Sequence, residues 1–90
     1  MKTYHQLANE AIAALKQARI YRVRILMALR AAERSEGPLR WQAPHLRNTL
    51  ATLDYMVSHE STAHSLMPVH GDGIEGSLRS FEYHKERNAA

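Results

Sequence analysis

The stretch that decides the fold is residues 4–35, YHQLANEAIAALKQARIYRVRILMALRAAERS, which contains neither proline nor glycine. It consists largely of Ala, Leu, Arg, Lys, Glu and Met, residues with high helix propensity. At its start, Thr3 and Gln6 have the spacing of a capping box, in which the hydroxyl and the side-chain amide accept hydrogen bonds from free backbone N–H groups. The sequence therefore predicts one long helix over residues 4–35.

A second helix is predicted after a short connection. Gly37 and Pro38 end the first helix, and the run up to Pro44 is predicted to be a turn or a short extended segment, because proline disfavours the α region in the residue before it. The next apolar stripe, with spacings of four, three and four, is Leu46, Leu50, Leu53 and Val57. We expect a helix over residues 44–58 that folds back antiparallel on the first. Trp41 is expected to anchor the corner by burying its indole.

The remaining part of the chain predicts a shorter third helix. Residues 58–67 either extend the second helix or form a loop, and the sequence leaves both alternatives open. Pro68 and the glycines after it predict a break. A second capping box, Asp72 with Glu75, then leads into a helix over residues 73–87.

Length and composition define the class of protein. With 90 residues, 44% of them apolar and 23% charged, the chain is predicted to be globular. We expect residues 1–90 to form a single all-α domain, a small three-helix bundle with one long N-terminal helix. Cysteine is absent, which excludes disulfides and thiolate sites. Neither a signal peptide nor an apolar run of about 20 residues is present, so a cytoplasmic protein without a membrane partner is predicted.

One side of the long helix is predicted to be the seam of the core. At about 100° per residue, nine residues share this side: Leu7, Ala11, Ala14, Ala18, Tyr21, Ile25, Ala28, Leu29 and Ala32. Most of them are alanines, which let a neighbouring helix approach closely but bury little area each. The larger apolar side chains must therefore come from the other helices.

The opposite side of the helix combines cations with apolar residues. Its members are Lys16, Arg19, Arg22, Arg30 and Arg34, interrupted by Ile12, Val23, Leu26 and Met27. In a structural interpretation, the commoner one for such a face, Ile12, Val23 and Leu26 pack on a third helix while the arginine stems cover them and reach water. In a functional interpretation, the cations surround exposed apolar residues and contact a partner, since arginine pairs with carboxylate or phosphate.

Charge is distributed unevenly along the chain. Residues 1–47 carry nine Lys or Arg against three acids, a net charge of +6, whereas residues 48–90 carry three against six, a net charge of −3. The basic half should attract a negatively charged partner. The separation of charge also permits antiparallel pairing of two copies of the chain.

We therefore predict a non-enzymatic protein-binding module, such as a regulator, inhibitor or adaptor, whose partner is another protein or a second copy of the chain. The predicted partner-binding residues are Lys16, Arg19, Arg22, Arg30, Arg34, Val23 and Leu26. The alternative is a nucleic-acid-binding protein that contacts phosphates through residues 16–34. A helix-turn-helix is not predicted, because both breaks look longer than its turn of about 3–4 residues.

Catalytic and metal-binding motifs are not recognisable. No Gly-rich phosphate loop occurs and the acids are scattered, so neither an enzyme, a cofactor nor a small-molecule substrate is predicted. Three of the six histidines, His59, His64 and His70, lie in the ambiguous region. His59 and His64 approach the HExxH pattern of zinc proteases, but they are five residues apart, about 140° on a helix. No metal site is predicted, and a metal or pH-sensing cluster of the three stays an open alternative.

Overall fold

The computed structural model describes residues 1–89, which form helices joined by short turns. The three α-helices are α1 (Tyr4–Arg34), α2 (Ala43–Ser58) and α3 (Ala63–Ala89). Two short 3-10 helices connect them, Gly37–Gln42 between α1 and α2, and Glu60–Thr62 between α2 and α3. No strand occurs in this part of the chain, and the predicted small all-α bundle is confirmed.

The long helix α1 begins at the predicted capping box. Thr3 Oγ1 accepts a hydrogen bond from the Gln6 N–H at 3.2 Å, and Gln6 Oε1 accepts one from the Thr3 N–H at 2.8 Å. The helix ends at Arg34, and Ser35 has an extended backbone. Gly37 has a φ of +78°, a left-handed conformation that glycine adopts without steric cost. The chain turns towards α2 at this glycine.

The helices run up, down and up. Contacts between α1 and the chain from α2 to the next turn follow an antiparallel order, and they are Glu33–Arg47 (3.0 Å), Arg22–Asp54 and Arg19–Glu60 (3.1 Å). Contacts between α1 and α3 follow a parallel order, and they are Glu10–His64 (3.3 Å) and Tyr21–Glu75. The result is an elongated molecule with extents of 51 × 21 × 16 Å.

The core is the alanine-rich seam of α1 covered by larger side chains of the other two helices. Six residues of the predicted seam are buried: Ala18, Tyr21, Ile25, Ala28, Leu29 and Ala32. The other helices contribute Leu46, Leu53, Met56, Met67, Ile74, Leu78 and Phe81. Each of these larger side chains stabilises the fold by about 1.5–3 kcal/mol through burial. Most of the larger buried residues come from the other helices, as the sequence predicts, but α1 itself also buries Tyr21, Ile25 and Leu29.

The first turns of the predicted seam are not buried. Leu7 is 43% exposed, and Ala11 and Ala14 are only half-buried. The reason is that α3 begins beside Glu10, where the ring of His64 contacts the Glu10 carboxylate. The first turns of α1 extend past the start of α3, and Leu7 lies on this projecting part.

Helix α3 continues through Pro68, where the sequence predicts a break, and that prediction is wrong. Residues 63–89 form one helix that includes the proline and three glycines. Met67 and Ile74 are both buried, and they are seven residues apart, about two helical turns. Only an uninterrupted helix keeps both on the same face. Their burial offsets the cost of about 3 kcal/mol that a proline imposes inside a helix.

For residues 58–67 the sequence leaves open an extension of the second helix or a loop. The structure divides these residues between the end of α2, the 3-10 helix Glu60–Thr62 and the start of α3. Helix α2 ends at Ser58, and the residues from 63 onwards belong to α3. Asp72 and Glu75 lie inside α3 and do not begin a helix. Glu75 instead accepts a hydrogen bond from the hydroxyl of Tyr21 on α1.

The connection between α1 and α2 differs from the prediction in which residue it buries. Leu39 is buried, whereas Trp41 is 75% exposed, so the expectation of an indole anchoring the corner is wrong. Residues 37–42 form a 3-10 helix, in which positions three apart share a side. Leu39 and Gln42 therefore both face α3, where Ser80 Oγ donates to Gln42 Oε1 at 3.1 Å. Trp41 is turned to solvent.

Candidate functional site

The candidate site is the side of α1 that neither α2 nor α3 covers, which we call the outward face. Its apolar residues are Ile12, Ile20, Val23 and Met27, each between 53% and 66% exposed. Because Tyr21 and Ile25 point into the core, residues about 180° around the helix from them must face solvent. An apolar strip of this kind on a small bundle is typical of an interaction surface.

Cations lie at both ends of the central part of this apolar strip, which consists of Ile20, Val23 and Met27. Lys16 precedes these three residues, and Arg30 and Arg34 follow them. All three cations are exposed, and among the described residues none of them forms an ion pair. The two acids of α1, Glu10 and Glu33, lie on other sides of the helix, where they pair with Lys2 and Arg47. The outward face therefore has a positive charge that no acid of α1 balances.

The outward face has a regular spacing. Its central positions recur at intervals of four, three, four, three and four, and they are Lys16, Ile20, Val23, Met27, Arg30 and Arg34. This is the 3.5-residue period with which one helix packs along another in a coiled coil. The apolar residues fill the middle of the stripe and the cations its ends.

The structure divides the residues that the sequence predicts as partner-binding. Lys16, Val23, Arg30 and Arg34 lie on the outward face. Arg19 and Arg22 lie at its border with α2, and Leu26 is half-buried there. Arg19 Nη2 contacts Glu60 Oε1 at 3.1 Å, and Arg22 Nε donates to Asp54 Oδ1. These two arginines contribute to the α1–α2 contact as well as to the charge of the surface.

In the structural interpretation of this side of α1, Ile12 and Val23 pack on a third helix. Both residues are exposed, so this interpretation does not hold for them. The predicted face also lacks Ile20, although its spacing of three from Val23 and seven from Met27 is the signal that identifies it. A prediction that starts from the arginines of this face easily overlooks the apolar residues between them.

The three histidines of the ambiguous region do not converge on one site. The ring of His59 stacks on Tyr55 with 4.3 Å between ring centroids. His64 contacts Glu10, and His70 is half-buried further along α3. Within residues 1–87, no group of three His, Asp or Glu side chains is arranged to hold a metal ion.

Two side chains of α1 have pKa values displaced by their neighbours. A hydrogen bond from Lys2, and to a lesser degree contact with His64, lowers the pKa of the Glu10 carboxyl, although partial burial acts in the opposite direction. The hydrogen bond to Glu75, reinforced by burial, raises the pKa of the Tyr21 hydroxyl. Both residues connect α1 to α3 and lie away from the outward face, so they bear on stability.

No helix among the described residues has the length and apolar character required to cross a membrane. No protein-family model, curated protein or solved structure matches the chain.

Proposed function

We propose that this chain is a non-enzymatic protein-binding module, such as a regulator, inhibitor or adaptor. The module binds an acidic amphipathic helix of its partner on the outward face of α1. One observation carries the proposal. The exposed residues Ile20, Val23 and Met27 form an apolar strip with the spacing of a helix-packing seam, and at both of its ends lie cations that form no ion pair within the described part of the chain. A partner helix would cover the apolar strip and place acids opposite Lys16, Arg30 and Arg34.

Charge favours a different protein over a second copy of this chain. In an antiparallel pair of α1 helices, Lys16 of one copy would lie near Arg30 and Arg34 of the other. In a parallel pair, each cation would lie near its own equivalent. Like charges repel in both arrangements. An acidic helix forms favourable pairs instead, and the central apolar residues supply burial.

The phosphate-binding alternative is less well supported on this face. Of the five cations on this side of α1, Arg19 and Arg22 already pair with the acids Glu60 and Asp54. A phosphate backbone would compete with these carboxylates. It would also leave the apolar residues of the strip without a complementary surface.

The proposal is tested with a helical probe peptide of about three heptads, carrying leucine at the central seam positions and glutamate at both ends. Binding is followed by fluorescence anisotropy of the labelled peptide. Val23→Ala should weaken binding about tenfold, because two methyl groups are worth about 1.6 kcal/mol when buried. Val69→Ala is the matched control, since Val69 is also an exposed valine but lies on α3; it is 72% exposed and Val23 is 54% exposed. The control should leave the affinity unchanged.

The charge requirement is tested separately. The double variant Arg30→Glu/Arg34→Glu should abolish binding of the acidic peptide, whereas Arg30→Lys/Arg34→Lys should retain it. A second peptide with lysine in place of glutamate should not bind. Equal binding of the two peptides, or wild-type affinity in both Val23→Ala and Arg30→Glu/Arg34→Glu, contradicts the proposal. Circular dichroism of each variant verifies that the helices are intact.

A further inference from the structure

A second surface lies at the end of the bundle where α1 turns into α2. It is an open groove of about 490 Å³, which we call the corner cleft. Its lining residues are Glu33, Arg40, Trp41, Ala43, Pro44 and Arg47. This volume falls within the range of about 300–1,000 Å³ that is usual for small-molecule and cofactor sites. The corner cleft is separate from the outward face, and a ligand bound there is independent of the proposed function.

Trp41 dominates the corner cleft. It is the only tryptophan of the chain, and three quarters of it is exposed. Among the described residues no aromatic ring stacks on it and no cation lies over it. The 3-10 helix directs Leu39 into the core and leaves the indole in solvent. A large flat apolar surface is therefore available for stacking.

Two guanidinium groups accompany the indole. Arg40, the preceding residue, is exposed and forms no ion pair within the described part of the chain. Arg47 Nη2 donates to Glu33 Oε2 at 3.0 Å. As at Arg19 and Arg22, a phosphate would have to share this guanidinium with a carboxylate, so Arg40 is the principal cation of the cleft. The charged residues of the lining are Arg40, Arg47 and Glu33, so the cleft carries a net charge of +1.

We propose that the corner cleft binds a nucleotide unit of single-stranded nucleic acid, with its base stacked on Trp41 and its phosphates held by Arg40 and Arg47. An aromatic platform beside guanidinium groups is the chemistry by which proteins hold single strands without reading their sequence. Guanidinium groups bind phosphate oxygens in a bidentate manner. A duplex fits this role poorly, because its bases are already stacked on one another and only its terminal base pairs present a free face.

The test uses the full chain and the fluorescence of its only tryptophan. An oligothymidylate of about ten nucleotides, added at low salt, should quench Trp41, and the affinity should fall steeply as salt is added. A duplex of the same length and a polyglutamate peptide should not quench it. Absence of quenching by the single strand overturns the proposal, and so does equal quenching by the duplex or by polyglutamate.

Variants assign the contacts through anisotropy of a labelled oligothymidylate. Trp41→Ala should weaken binding about 5- to 150-fold, the range for loss of one stacked base, while Trp41→Phe should retain part of the affinity. Arg40→Ala/Arg47→Ala should weaken it at least tenfold. The matched pair Arg79→Ala/Lys85→Ala removes the same charge on exposed residues of α3 and should change it less than about threefold. Wild-type affinity in Trp41→Ala, or equal losses in the two charge pairs, overturns the assignment.

Discussion

The three glycines inside α3 should make the fold less stable than alanines at the same positions would. The packing of α3 does not require glycine there. Gly71, Gly73 and Gly76 lie inside the helix, and a Cβ atom added at any of them comes within 4 Å of no described atom beyond its chain neighbours and the nearby backbone of α3. Alanine in place of glycine inside a helix gains stability chiefly because the unfolded chain loses fewer conformations on folding. Each replacement should therefore raise the free energy of unfolding by about 0.4–1 kcal/mol.

The predicted shift is large enough to measure. For a domain of this size, 1 kcal/mol moves the melting temperature by about 4–8 °C. Each single variant should melt roughly 2–8 °C higher than the wild type. The triple variant should be more stable by about 2 kcal/mol, and it should therefore melt roughly 8–16 °C higher. Thermal unfolding followed by circular dichroism at 222 nm gives these values, and urea unfolding provides an independent free energy.

A matched control reverses the sign. Gly37 also has no atom within 4 Å of an added Cβ, but its φ is +78°. Gly37→Ala should therefore lower the stability by about 1 kcal/mol or more, since an L-residue is strained in that conformation. If Gly71→Ala and Gly73→Ala also lower the melting temperature, α3 is not a regular helix at these positions, and the reasoning about its continuity through Pro68 is refuted.

Two further predictions concern the core. Tyr21→Phe removes the hydrogen bond to Glu75 and should cost about 1.5 kcal/mol in urea unfolding. Because folding raises the pKa of Tyr21, the contribution of this residue should be fully present below about pH 10 and be lost as the pH rises through the folded-state pKa. The Phe variant should lack this loss, and equal alkaline sensitivity of both proteins contradicts the role of the hydrogen bond. Leu53→Ala should cost about 2–5 kcal/mol because Leu53 is fully buried, whereas Leu7→Ala should cost less than about 0.5 kcal/mol. Similar melting temperatures for these two variants would argue against the observed core.

Much of the fold is determined by local signals in the sequence. The capping box at Thr3 and the absence of proline and glycine before Gly37 define α1, and the spacing from Leu46 to Val57 defines α2. These signals are local, so they need no knowledge of the neighbouring helices. The wrong prediction of a break at Pro68 has a cause that is not local. The burial of residues on both sides of the proline offsets its cost inside the helix.

The exposure of particular side chains was harder to predict. Leu39 and Trp41 are both apolar residues of one short connection, and a preference for burial does not distinguish them. The 3-10 geometry decides between them, and this turn contacts a distant part of the chain, since Gln42 accepts a hydrogen bond from Ser80 on α3. In the same way, the site at the outward face depends on which side of α1 the other two helices leave uncovered.

Three ion pairs favour one alignment of α1 with α2 and the turn that follows α2. Each of the three is exposed and adds at most about 1 kcal/mol. Sliding α2 by one helical turn, about 5.4 Å, removes all of them together. The new neighbours of Arg19, Arg22 and Glu33 would then be Met56 or His64, Leu50 or Ser58, and Ala43 or Ala51. Neither one-turn slip recovers any of the three pairs, so these weak contacts discriminate against the adjacent registers more than they strengthen the correct one.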